Sequence, residues 1–506
     1  MKSKITLLLY CLLLSFGVLS AQTVNIEGDP YGGNPYATIT DAIDEANDGD
    51  VILISGVHTE VVTFGKSISL RGTDPTTDII QAAATPSSDG SGESVISVIR
   101  AEDTDVLNVT IENLGIRNGN ADDNNGGGIN IDKVTGLITL NNLIIEDNFT
   151  DRNGGGLGIA GSNAEIINCT IRNNESSLDG GGLIAAPNNA SDTNVVIDIK
   201  QSLIDNNTGR NGGGIYLNGN QNFGNDFLMD VNIENSTVSN NSATSPAGGN
   251  GGGAIFSAAR PWTASPSESN LTLLLVHTTF YGNTHAANSK SGIQFGAAAP
   301  TNFSVYNSIV VSTDDVAIKA LNFINSNTTD VVNTILGGLE NAAPFNSIID
   351  DESKNNERGR PATFAGLTTG LSDQGGSTQV FAIDENSNSV DFCTASVSVP
   401  LPSVDQRGFI RDGVPDAGAF EFDGFLSTRN VTAPEFSVYP NPTSDIIHIE
   451  GVNNAVKDVK IYSVSGVLQK QTNSTSINIS ELSSGIYLFK ITTNDNKSVT
   501  QRVIKK

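Results

Sequence analysis

Basic residues, sulfur and indole are scarce in this chain. Its 506 residues carry 28 Lys and Arg against 55 Asp and Glu, a formal charge of −27. That balance excludes nucleic acid as a partner, because phosphate contacts need an excess of cations. Three cysteines, one of them (Cys11) in the leader, exclude a disulfide framework. Four histidines without metal-ligand spacing give no support to a zinc centre or a His-based mechanism. A single tryptophan and 16% charged residues, beside 52 glycines, point away from helices and toward a turn-rich β protein. Beyond the leader no run of 18 apolar residues occurs, so no membrane-spanning helix is expected.

The leader itself is legible. Lys2 and Lys4, the apolar run from Ile5 to Leu19 and the small-residue exit Leu19-Ser20-Ala21 read as a secretory signal peptide over residues 1–21.

Repeats decide the fold. Glycine triplets begin at Gly126, Gly154, Gly180, Gly212 and Gly251, at intervals of 28, 26, 32 and 39. A heptad keeps time with them, starting at Asn142, Asn168, Gln201 and Asn235, with weaker copies from Asn113, His277, Asn307 and Asn333. Each unit reads as a strand-like heptad, a turn and a glycine-rich strand. Ile116, Ile145, Ile171, Ile204, Val238 and Phe280 share one column, the apolar stack that a coiled parallel sheet buries. Asn148, Asn174, Asn207, Asn241 and Asn283 share a second, where stacked amides bond across a strand spacing of about 4.8 Å. A third holds Asn125, Asn153, Asp179, Asn211 and Asn250, just before the glycines. Cys169 falls in the inward column of Leu114 and Leu143 and is expected to be inert. Arg117, Glu146, Arg172 and Asp205 face outward as a charge ladder. The expected fold is all-β: a right-handed parallel β-helix.

Before the repeats, Ile39, Ala42, Ile43 and Ala46 lie on one face of a short helix, suited to lidding the apolar end of a solenoid. With the repeats, this opening resembles pectin-lyase-like β-helix proteins over residues 23–340. The resemblance implies the fold, not an activity. Residues 371–422, with Asp405-Gln406-Arg407-Gly408 and Asp416-Ala-Gly-Ala-Phe-Glu421, are similar to the choice-of-anchor Q block of exported β-helix proteins. The physical expectation is a cap in which Arg407 and Arg411 pair with Asp405, Asp416 or Glu421 to seal the last rung.

The tail is a separate module. Residues 431–506 hold 8 Lys and Arg against 6 acids, whereas residues 22–430 hold 18 against 49. Alternating strands at Ile446–Ile449, Val459–Tyr462 and Ile486–Ile491 suit a small β-sandwich. Phe436-Ser-Val-Tyr-Pro-Asn-Pro442, Val459–Gly466, Leu482–Leu488 and the ending Val503-Ile-Lys-Lys506 resemble the type A sorting domain of the type IX secretion system. That resemblance implies a Bacteroidetes-type envelope, the secretion machinery as partner of residues 435–506, and delivery to the surface or medium. The domain plan is therefore signal peptide 1–21, β-helix 22–340, helix end and cap 341–424, linker 425–434 and sorting domain 435–506.

Chemistry is less legible. β-Helix lyases and hydrolases need carboxylates and a basic residue on one face, with calcium-dependent members using acids on adjacent rungs. No Gly-His-Gly or Arg-Ile-Lys motif is present. Asp122-Asp123, Asp314-Asp315 and Asp350-Asp351 read as solvated turn acids, and no catalytic residue, metal ligand or cofactor is assigned; no motif decides for or against calcium. The long insertions Asn218–Met229 and Ser257–Asn270 fall at one phase of the repeat and gather Phe223, Asp226, Phe227, Arg260 and Trp262, the expected ligand contacts. The expected function is non-catalytic adhesion or contact with a polysaccharide; the competing one is a lyase or glycoside hydrolase with a non-standard site.

Overall fold

The computed structural model describes residues 22–506 apart from 29, 101–105, 188–193, 219–227, 247–250, 258–270, 287–291, 296–300, 312–315, 321–328, 341–346, 412, 423–424, 427–435, 452–455, 464–467 and 494–497. The expected signal peptide lies outside these residues. The chain divides into two compact units, at Leu426 and Ser427.

The first unit is a parallel coil. Its rungs contribute to four sheets: a long-strand sheet of 11 described strands, a heptad sheet and a glycine sheet of 10 each, and a corner sheet of six two-residue strands. One rung shows the order. Leu137–Asn141 belongs to the long-strand sheet, Ile144–Glu146 to the heptad sheet, Phe149–Thr150 to the corner sheet and Leu157–Ala160 to the glycine sheet. Each pairs in parallel with its counterpart one rung away. The heptad is thus not one strand. Asn142 and Asp147 at its ends have φ of 51° and 56°, a left-handed conformation that Asn and Asp tolerate best, and the chain bends at both.

Inside the coil, Ile116, Ile145, Ile171, Ile204, Val238 and Phe280 are all buried in one core. The amide ladder is continuous. Asn148 Nδ2 donates to Asn174 Oδ1 at 3.0 Å, Asn174 to Asn207 at 3.0 Å, Asn207 to Asn241 at 2.9 Å and Asn241 to Asn283 at 2.9 Å. Each Oδ1 also accepts a backbone N–H of the rung before, as Asn174 does from Asn148 at 3.1 Å. Buried backbone groups at the bend are therefore satisfied by side chains. Cys169 lies in the interior column as expected, and Ser202 and Ser236 follow it; Ser202 Oγ accepts from the Cys169 N–H at 3.1 Å.

The third column needs one correction. Ile255 pairs with Ile215, which places Gly252 opposite Gly212 and Gly251, not Asn250, opposite Asn211. The last triplet is displaced by one residue from the visible repeat. Gly212 and Gly252 share φ of 61° and 71°. Packing tightens further along: a Cβ on Gly155 would lie 2.4 Å from the Gly181 carbonyl oxygen and 2.5 Å from that of Glu175.

Helix Ile39–Glu45 buries Ile39, Ala42 and Ile43 on the first rungs, and Thr38 caps it by accepting from the Asp41 N–H. At the other end, residues 347–360 close the coil. Ile349 enters the main core, and Asn356 accepts from the Thr334 N–H at 3.0 Å while donating to the Val331 carbonyl at 2.6 Å.

The 371–422 block therefore does not seal the last rung. It runs along the flank, against residues that open the later heptads. Asn333 Nδ2 donates to the Ala395 carbonyl, Asn235 Nδ2 to that of Val404 and Gln201 Nε2 to that of Asp405. The left-handed bends turn these side chains outward, where a strap can bond them. The strap is held together by buried ion pairs, Arg407–Asp405 at 2.7 Å and Arg411–Glu421 at 2.8 Å, with the Arg407 guanidinium between the Phe409 and Phe420 rings. Phe425–Leu426, in the expected linker, pairs with Phe409–Ile410.

The second unit packs two antiparallel sheets, one containing Phe436–Tyr439, Ile446–Gly451 and Ser476–Asn478, the other Val456–Ser463, Leu468–Thr472, Gly485–Thr493 and Ser498–Lys505. Ile447, Ile449, Val459, Ile461, Phe489, Ile491 and Val503 form its core. No described helix is long and apolar enough to cross a membrane.

Candidate functional site

The corner where the two-residue strands hand over to the glycine strands concentrates the exposed chemistry. Asn120–Ala121 pairs with Phe149–Thr150, so the residues that follow, Asp122 and Asp151, meet across adjacent rungs. Carboxylate oxygens of Asp122, Asp123 and Asp151 lie within 4.8 Å of one another. A hydrogen bond with Asp151 and the like charges nearby raise the Asp122 pKa. Arg152 pairs with Asp123, and that contact raises the guanidinium pKa above its already high ordinary value. The Asp122-Asp123 pair thus has partners on the next rung that its own sequence does not reveal.

Two rungs further, Arg210 Nε donates to Asp179 Oδ1 at 3.0 Å and Nη2 to Oδ2 at 3.1 Å, a fork on a carboxylate that is itself buried. Asn211 Nδ2 donates to the same Asp179 Oδ1 at 2.8 Å. Half-buried Tyr216, on the outer face of the glycine sheet, stacks on Phe256 with centroids 5.8 Å apart and planes 7° apart. The strands carrying these two rings, Ile215–Leu217 and Ile255–Ser257, lead directly into the long insertions. Phe223, Asp226, Phe227, Arg260 and Trp262, the ligand contacts expected from sequence, lie outside the described residues.

On the heptad face the charge ladder is interrupted. Arg117, Glu146, Arg172 and Asp205 are in register. Only Arg172 and Glu146 pair, at 2.6 Å. Arg117 donates to Gln81 and Asp205 accepts from Ser239, because each finds a neutral partner on its other neighbouring rung.

Several other titratable groups of the coil are spent on structure. Asp78 accepts from Gly56, Thr73 and Asp74, which together lower its pKa against the cost of burial. His58 bonds the Ser55 carbonyl, His277 is buried against Asn307, and His285 is buried against Ser245. Burial carries the His277 pKa well below its ordinary value and keeps the ring neutral. Sequence reasoning missed the Tyr216–Phe256 stack and the Asp151–Arg152 contribution. The first lies in a column whose other members include Asn130, Gly158, Ile184 and Gln294, so no repeat marks it, and the second needs the inter-rung register.

Residues 437–506 match the family of secretion system C-terminal sorting domains. The chain is exported through type IX secretion to the cell surface or the extracellular space. Ulvan lyase NLR42 of Nonlabens ulvanivorans is 34% identical over 84 residues, 16% of this chain and 16% of that protein's length. Among solved structures, pectate lyase Pel9A aligns with 79% of this chain and 94% of its own at 14% identity and a TM-score of 0.39.

Proposed function

We propose that the exported coil makes non-catalytic contact with a polysaccharide along this corner. The observation that carries the reading is the line of polar and aromatic groups on successive rungs: the Asp122–Asp151–Arg152 cluster, the Asp179–Arg210 fork and the half-buried Tyr216. A rigid coil holds such groups at a fixed repeat of about 4.8 Å, which suits an extended polymer lying along the axis. The insertions leave from the Tyr216 and Phe256 strands, so Phe223, Asp226, Phe227, Arg260 and Trp262 are proposed to complete the contact. Aromatic faces supply the stacking surface and the charged groups supply directional hydrogen bonds.

One observation favours cleavage instead. Acids on adjacent rungs beside an arginine are what a β-helix lyase requires. Here, however, Asp123 holds Arg152 in its charged form, the wrong direction for a proton-abstracting base. The ulvan lyase aligns with this chain over 84 residues, 16% of its own length.

The test is a panel of neutral, amine-bearing and acidic polysaccharides incubated with the full exported protein, scored for binding and for new reducing or unsaturated ends. Binding without new ends is expected. Chain cleavage of any member overturns the non-catalytic reading, and binding of none overturns the polysaccharide contact.

A further inference from the structure

Beside this corner the outer face of the corner sheet holds a groove of about 240 Å³. The Pro86–Ser88 segment lines it together with Asp147, Asn173, Phe149 and Glu175. The register explains the convergence. Phe149 pairs with Glu175 across one rung, Asp147 and Asn173 are the left-handed bends that precede them, and the segment leading to Gly92 joins the same sheet beside Ala121. The Phe149 ring is buried, but its edge reaches the groove from beneath Gly90.

The two carboxylates are what distinguish this place. Asp123, Glu146 and Asp179 are each matched by an arginine. Among the described residues Asp147 and Glu175 have neither a cation nor a hydrogen-bond donor on their side chains, although both line the same groove. Asp89 and Asp151 flank it, and among the described residues no arginine or lysine lines it. Such a site offers hydrogen-bond acceptors and negative potential and asks for donors in return. A sugar ring bearing hydroxyl or amino groups satisfies both carboxylates and sets its C–H edge on Phe149. A sugar carrying its own carboxylate or sulfate brings a like charge against two unpaired ones.

Resting on the proposed polysaccharide contact, we infer that this groove is a subsite for one sugar unit without acidic substituents, and that it selects against polyuronates. It follows that the polymer contacted is neutral or amine-bearing.

The experiment measures binding of the full exported protein to galactan, chitosan oligosaccharides, polygalacturonate and alginate, in chelator at low salt. Galactan or chitosan oligosaccharides should bind at least tenfold more tightly than either polyuronate. Glu175→Ala should weaken that binding about tenfold with an unchanged melt. Asp147→Asn with Glu175→Gln keeps the left-handed bend and the side-chain shapes, and it should narrow the gap between neutral and acidic polymers. Equal or tighter binding of the polyuronates to the wild-type protein overturns the selectivity. Tight galactan or chitosan binding that ignores both variants overturns the subsite while sparing the polysaccharide contact. Binding of no polymer overturns both.

Discussion

Arg411 Nη1 donates to Glu421 Oε2 at 2.8 Å, and both side chains are 2% exposed. The same guanidinium donates to Asn235 Oδ1 and to the Gly418 carbonyl, and Glu421 also accepts from the Asp416 N–H. A buried ion pair adds little net stability over apolar packing, but losing one partner strands a buried charge. The pair therefore fixes where the strap sits on the flank.

This network makes stability depend on pH with two opposed signs. Burial, opposed by Arg411 and reinforced by Asp416, pushes Glu421 up to about 7 from 4.5. The folded chain then holds a proton that the unfolded chain has lost, so stability falls as pH rises through that window. His277, buried near Arg411, stays neutral where an unfolded histidine charges, so stability falls as pH drops below about 6.5. Burial raises Asp416 too, with the sign of Glu421. Melting temperature against pH should show this directly. Glu421→Gln should steepen the loss toward acid, and His277→Asn, the residue used at other heptad starts, should remove that loss. Unchanged profiles in both variants would refute the assignment.

Asn174→Leu should cost on the order of 3 kcal/mol in a chemical denaturation midpoint. The substitution leaves the Asn148 N–H without a partner inside the coil and removes the amide donor from the Ile145 carbonyl and from Asn207 Oδ1, and each unmet buried group costs about 1–3 kcal/mol. A loss below ~0.5 kcal/mol would mean that the amide ladder contributes only register.

Cys169 should resist thiol reagents in the folded protein. Its thiol is fully buried, and burial pushes it up to about 12. Cys393 is buried as well. Disulfide-exchange labelling of the exported protein should show no fast thiol until denaturant is added; rapid labelling of Cys169 would contradict the register of the heptad column.

Deleting residues 435–506 should strand the coil in the periplasm of its native host. Fractionation followed by immunoblotting reads this, and normal surface delivery of the truncated chain would show that the sorting domain is dispensable.

Much of the architecture was legible because a solenoid repeats its physics. Successive rungs need an inward apolar residue, an amide at the bend and a glycine where two turns touch, so the positions of Ile145, Asn148 and Gly155 recur in columns that can be counted. The counting slipped at Asn250, because Gly251 stands in the amide column and Ala254 replaces the third glycine, which offsets the visible triplet by one residue. The sorting domain was legible for another reason, a run of short motifs in fixed order that the match to residues 437–506 reproduces.

The sequence by itself determined the coil, its end helix and the exported address, since these follow from local periodicity and composition. Only the tertiary structure decided what lies side by side across rungs. Asp151 and Arg152 are 28 and 29 residues from Asp123, yet the parallel register sets them against it. Asp405 and Val404 reach Gln201 and Asn235 across 204 and 169 residues, turning an expected end cap into a flanking strap. Asp147 and Glu175 share a groove because successive turns stack in the coil. Such contacts depend on register, and register is a property of the assembled sheet rather than of any one rung.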